Sequence, residues 1–145
     1  MEGGEGMEFN QKSWIKNYVH SLCPKKITQE KVDEEIKNIV ILMNELFSCQ
    51  DIDEQVEIIL GKNIIIFPGR KSNIFIMYSV DVKNNELKIV QHKGQELSSR
   101  IEKSISINCK GEEYVVKDQP SITMDEMSFN YLKDAINYAF SKILN

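Results

Sequence analysis

Apolar positions along the chain change their period twice, and the changes divide it into helices, strands and a closing helix. From Asn10 to Leu22, the residues Trp14, Ile15, Tyr18, Val19 and Leu22 share one face of a short helix, which Pro24 ends. Thr28 reads as the N-cap of a second helix, with Ile27 and Val32 placed as a hydrophobic staple. Glu30, Asp33, Glu34 and Glu35 crowd its first turns, where the macrodipole favours negative charge. Val32, Ile36, Ile39, Met43 and Leu46 recur at helical spacing, widened by Val40 and Phe47, so this helix is expected to run to Phe47 or Ser48. Asp51 and Glu54 resemble a capping pair. Ile52, Val56, Ile59 and Leu60 then predict a third, short helix stopped by Gly61.

From Asn63 the period becomes two. Ile64 to Phe67 is a short apolar strand, and Pro68 to Asn73 is a turn by composition. Ile74, Ile76, Tyr78, Val80 and Val82 share one strand face, while Phe75, Met77, Ser79 and Asp81 share the other. A loop at Lys83–Glu86 and a return over Leu87–Val90 make a hairpin. Pairing Val82 with Leu87 and Val80 with Ile89 keeps its apolar faces together. Residues 94–104 fit helix and strand about equally. Ile105, Ile107 and Cys109 alternate, Lys110-Gly111 turns, and Tyr114 to Val116 returns. Thr123 and Glu126 form a capping box with Ile122 and Met127 as staple, which predicts a last helix from there to Leu144. Its apolar face holds Met127, Tyr131, Leu132, Ala135, Ile136, Ala139, Phe140 and Ile143.

Helices at the ends around a run of hairpins predict an α+β fold. The expectation is a four- to five-stranded antiparallel sheet with the long second and last helices on one face. Residues 1–9 read as a flexible tail and 10–145 as one domain. The length of 145 residues suits a single core, and 41% hydrophobic residues is too many for a disordered chain. No apolar run approaches the roughly 20 residues of a membrane-spanning helix.

Charge narrows the function classes. The net charge is −4, with the acids concentrated in the first third, which argues against a dedicated nucleic-acid binder and suits a basic protein partner. The three cysteines, Cys23, Cys49 and Cys109, are widely spaced and odd in number. They form no disulfide framework and point to a reducing, cytoplasmic setting.

Candidate chemistry is sparse. His20 falls on the polar side of the first helix, and His92 ends a strand as a surface residue. Cys109 and His92 on neighbouring strands could pair as nucleophile and base, although the alternation of Cys109 with Ile105 and Ile107 reads as core. His20-x-x-Cys23 is at most half a zinc site. The Pro68–Asn73 loop carries Arg70, Lys71 and Ser72, groups suited to an anion, but it lacks the phosphate-loop spacing and no helix follows it. No cofactor and no metal is expected. The reading that remains is a small non-enzymatic binding protein of inhibitor, immunity-protein, chaperone or adaptor type. Its partner would be met by Asp33, Glu34 and Glu35 and by Phe75 and Met77 on the second sheet face. A phosphorylated small molecule held at Arg70, Lys71 and Ser72 is the alternative, and a homodimer through the second helix is a third.

Overall fold

The computed structural model describes residues 10–22, 25–94, 100–119 and 126–145. Asn10 starts the first helix, α1 (Gln11–Leu22), by accepting a hydrogen bond from the Ser13 amide on its side chain at 3.1 Å. The second helix, α2 (Gln29–Cys49), is capped by the Thr28 hydroxyl, which accepts from the Lys31 amide, as the sequence predicts. It buries Val32, Ile36 and Val40.

Seven strands follow in an antiparallel meander, each hydrogen-bonded to the next in sequence order. They are β1 (Glu57–Ile59), β2 (Ile64–Phe67), β3 (Ile74–Asp81), β4 (Glu86–His92), β5 (Ile101–Lys110), β6 (Glu113–Gln119) and β7 (Glu126–Phe129). The chain closes with α3 (Leu132–Ile143). The α+β class holds, but the sheet has seven strands rather than four or five, and both additional edge strands replace segments the sequence assigns to helices.

The first replacement is the expected third helix. Asp51 adopts a left-handed conformation (φ 59°) and ends α2, while the Ile52 amide closes back on the Phe47 carbonyl at 2.8 Å. Asn44 then holds the next segment extended. Its side chain accepts from the Val56 amide at 2.7 Å and donates to the Val56 carbonyl at 3.2 Å. Ile58 and Ile59, β-branched and stiff, pair with Ile65 and Ile64. The second replacement is the start of the last helix. Glu126 is not the N3 residue of a capping box; it lies opposite Lys117 in the β6–β7 ladder and forms an ion pair with it at 3.3 Å. Met127 therefore belongs to a strand, Tyr131 is the N-cap without a side-chain cap bond, and α3 begins at Leu132. Thr123 lies outside the described residues, as do most of the Pro120 linker and residues 95–99 of the ambiguous stretch; 101–110 is strand.

The β3–β4 register is two residues away from the expected one. Val80 pairs with Leu87 and Tyr78 with Ile89, so the face assignment survives while Val82 joins the turn and is exposed. The cause is Asp81, whose carboxylate accepts from the Asn84 amide and side chain and is held below its usual pKa by those bonds. Asn85, in the left-handed region (φ 53°), completes the turn.

Both α2 and α3 cover the sheet face that carries Ile65, Phe67, Ile76, Tyr78, Leu87, Ile89, Ile105, Ile107, Tyr114 and Val116. They also begin at the same end of the sheet. The Asn85 side chain accepts from the Ile27 amide at 2.6 Å and donates to the Lys25 carbonyl at 2.7 Å. Lys25 Nζ donates to the Asn130 carbonyl at 2.7 Å and lies 5.7 and 5.9 Å from the Tyr114 and Tyr131 rings. The starts of the two helices are thus tied to each other and to the β3–β4 turn. At the other end Lys103 Nζ caps α3 by donating to the carbonyls of Ile143 and Asn145.

Replacing Asn44 by Ala removes both bonds to Val56 and leaves a buried residue's amide and carbonyl unpaired. The expected loss is about 2–3 kcal/mol, read by urea unfolding. A loss below about 0.5 kcal/mol, the range of ordinary surface changes, would show that β1 is not held by this side chain.

Candidate functional site

Asp33 sits in a polar cluster beneath α2. One oxygen of its carboxylate accepts from the Tyr78 hydroxyl at 2.7 Å and from the Gln29 side chain at 2.9 Å. The same Gln29 amide group reaches Asn63 at 3.1 Å, and the Asn63 carbonyl accepts from the Tyr78 amide. Asn63 is left-handed (φ 55°) and places both of its groups under the helix. Burial first, then the bond to Asp33 and its charge, push the Tyr78 hydroxyl well above the ordinary tyrosine range. Such a group stays protonated at neutral pH and acts as a fastener between helix and sheet.

The other predicted contact residues divide. Glu35 accepts from the Asn137 side chain at 2.7 Å and so ties α2 to α3, whereas Glu34 is exposed. Phe75 and Met77 are half-buried on the face away from α2 and α3, beside Ile66 and Val90. Arg70, Lys71 and Ser72 are exposed at the tip of the β2–β3 hairpin. That tip is tight: a Cβ on Gly69 would come within 2.1 Å of the Ser72 carbonyl oxygen, so only glycine fits there. The structure therefore gathers neither the three acids nor the three anion-suited residues into an enclosed site.

Nor does it assemble the nucleophile–base pair. Cys109 faces the helices, opposite Tyr114, while His92 faces the other way, opposite Phe75. Burial raises the Cys109 thiol, which disfavours the reactive thiolate. His92 is 7% exposed, buried rather than the surface residue its strand-end position suggests, and lies opposite Phe75 of β3 and Ile101 of β5 in the sheet. Cys23 and the His20 side chain lie outside the described residues. Among the described residues no three His, Cys, Asp or Glu side chains are placed to hold a metal ion, and no described helix is long and apolar enough to cross a membrane. An open cleft of about 560 Å³ lies between the end of α2 and the β1 edge. Asp53, Glu54 and Glu57 line it together with Asn44, Ser48 and Asn73, so its charge would repel an anion.

The feature sequence reasoning missed is apolar and lies on the helices. Of the twelve large hydrophobic residues exposed among those described, eight form two groups. Trp14, Ile15, Tyr18 and Val19 on α1 are 40–60% exposed, and every described side chain of that helix faces solvent. Ile41, Leu42 and Leu46 on α2, with Ile52 just beyond it, are 42–62% exposed. Leu46 was expected in the core stripe. Its exposure follows from helix length. Glu35, Leu42 and Leu46, at i, i+7 and i+11, share the flank of α2 that meets α3 at Asn137. α2 has 21 residues and α3 has 12, and from a common start the shorter helix ends before it reaches Leu42. The signal available in the sequence was the run Ile39–Met43, which holds more apolar residues than one buried stripe can use.

A scan against protein-family models gives no match, and searches of curated proteins and of solved structures give none either.

Stability at alkaline pH tests the Tyr78 assignment. A hydroxyl whose pKa is raised by folding contributes fully below the unfolded value of about 10, and that contribution is lost as pH climbs above it. Tyr78→Phe should cost about 1–3 kcal/mol at neutral pH, because Asp33 loses a donor, and should flatten the decline above about pH 10. An unchanged alkaline slope, followed by urea melts, would show that another group carries it.

Proposed function

We propose that this protein is a non-enzymatic interaction module of the inhibitor, immunity-protein, chaperone or adaptor kind, and that it works by binding protein. The observation that carries this reading is the grouping of eight exposed large hydrophobic residues, four on α1, three on the far half of α2 and Ile52 just after it. Scattered apolar residues are normal on a surface, but two continuous groups on helices have the composition of a protein-contact surface. The surroundings give the reading a sign. Between Glu34 and Glu57 the chain has seven acids and a single base, Lys37, which favours a partner segment with positive charge. The candidate nucleophile and base lie on opposite sheet faces, and the buried side-chain polar atoms among the described residues all have partners.

Native mass spectrometry of the protein isolated gently from its own host tests this. The expected result is a stoichiometric protein complex that is lost when Leu42 and Leu46 are both replaced by Glu. A bare chain carrying only a small molecule, released by Arg70→Ala with Lys71→Ala, would overturn the reading in favour of a phosphorylated ligand.

A further inference from the structure

Resting on the interaction reading, we propose that the partner is a second copy of this chain, and that the two copies exchange α1. In the pair, α1 of each copy lies along the exposed flank of α2 of the other, in the space beyond the end of α3.

Four observations lead there. The first is a gap in the helical layer. α2 and α3 begin together at the Asn85 end of the sheet, tied through Lys25, and Glu35 meets Asn137. Carried along both helices, that level sets Ile143, the last residue of α3, beside Ile41. The remaining turns of α2, with Leu42 and Leu46 on the flank α3 would cover, have no neighbouring helix from α3.

The second is an unsupported helix. α1 has 12 residues, and an isolated helix of that length is marginal in water. Its stability needs an apolar face to pack, yet Trp14, Ile15, Tyr18 and Val19 are all exposed.

The third is charge. α1 contains Lys12 and Lys16 and no acid, while the stretch around the α2 flank, with exposed Glu34, Glu45, Asp51, Asp53 and Glu54, is strongly acidic. The two apolar surfaces therefore carry opposite signs and suit each other. A pairing of α2 against α2 would instead bring acids together.

The fourth is reach. Lys25 is fixed at the start of the helical layer. From there the linker and the helix back to the middle of the α1 stripe span about 18 Å at most, whereas Leu42 and Leu46 lie about 20 and 26 Å along α2 from its first residue. Within one chain only the first turn of the α1 stripe, at Trp14 and Ile15, draws level with Leu42, and Leu46 stays beyond it. Between copies there is no such limit, and reciprocal exchange about a two-fold axis makes the contact twice and closes the assembly.

Sedimentation equilibrium of the full chain up to high micromolar concentration tests the exchange. The wild type should be a dimer. Trp14→Glu with Tyr18→Glu, or Leu42→Glu with Leu46→Glu, should weaken it at least about tenfold. These are exposed positions, so each variant should stay folded and match the circular dichroism and melting curve of the wild type taken at concentrations where the wild type is monomeric. An equimolar mixture of the two variants should recover dimer, because one of the two reciprocal contacts is then intact; contacts between like helices predict no recovery. Reversing Lys12 and Lys16 to Glu should weaken the pair, and adding a copy with Glu45→Lys and Asp53→Lys should restore it. A strict monomer, or a dimer indifferent to both pairs of Glu substitutions, overturns the exchange. If that monomer still leaves its host with a different protein bound through Leu42 and Leu46, the exchange falls and the interaction reading stands. If it leaves with no protein at all, both fall.

Discussion

The common origin of the two helices at one end of the sheet organises the rest of the molecule. Asn85 bonds the segment before α2 from both sides, and Lys25 bonds the residue that precedes the N-cap of α3. Helices that start level and differ in length must end unevenly. Where both are present, their apolar stripes meet the sheet and each other, as Phe67 meets Phe140 at 6.1 Å between ring centroids. Where α3 has stopped, the same α2 presents leucines to solvent. The exposed flank is a consequence of layer geometry: Val32, Ile36 and Val40 are buried over the length that α3 accompanies, and Leu42 and Leu46 lie beyond it.

The sheet is built from local pairings alone. Each strand meets the one before it, and the turns carry residues suited to them: Asp81 and Asn85 in one, left-handed Gly111 in another, the glycine-dependent tip at Gly69 in a third. Its two edges are β1 with three residues and β7 with four, short enough to limit pairing with other chains. Under the proposed reading, contact with a partner falls to side chains on the helices more than to open backbone at an edge.

What could be read from the sequence follows the strength of each local signal. The Thr28 cap, the strands from Ile64 and Ile74 and the Lys110-Gly111 turn combine a clear period with matching terminal chemistry, and each is present; the buried face of α3 is carried by period alone, its expected capping residue Glu126 lying in β7. The two misread segments were the edge strands. Both carried capping-like acids, and in both a long-range partner decided the outcome: Asn44 holding Val56 for one, Lys117 pairing with Glu126 for the other. A single sequence does not show such partners. The predicted acidic contacts were readable as charges but not as bonds, so Asp33 and Glu35 turned out to bind Tyr78 and Asn137 within the chain. The α2 flank was hidden for a third reason. Helical period marks which side is apolar, but whether a neighbouring helix reaches that far depends on lengths and starting points fixed in three dimensions.

The central claim is that the apolar surfaces of α1 and the far half of α2 cover each other between two copies of this chain. Hydrogen exchange followed by mass spectrometry, on the intact chain at low and at high micromolar concentration, addresses it directly. The account predicts that amides of α1 and of the turns carrying Leu42 and Leu46 exchange more slowly as concentration rises, while those of β3 to β6 keep the same rates. Exchange in α1 and α2 that is identical at both concentrations would contradict it.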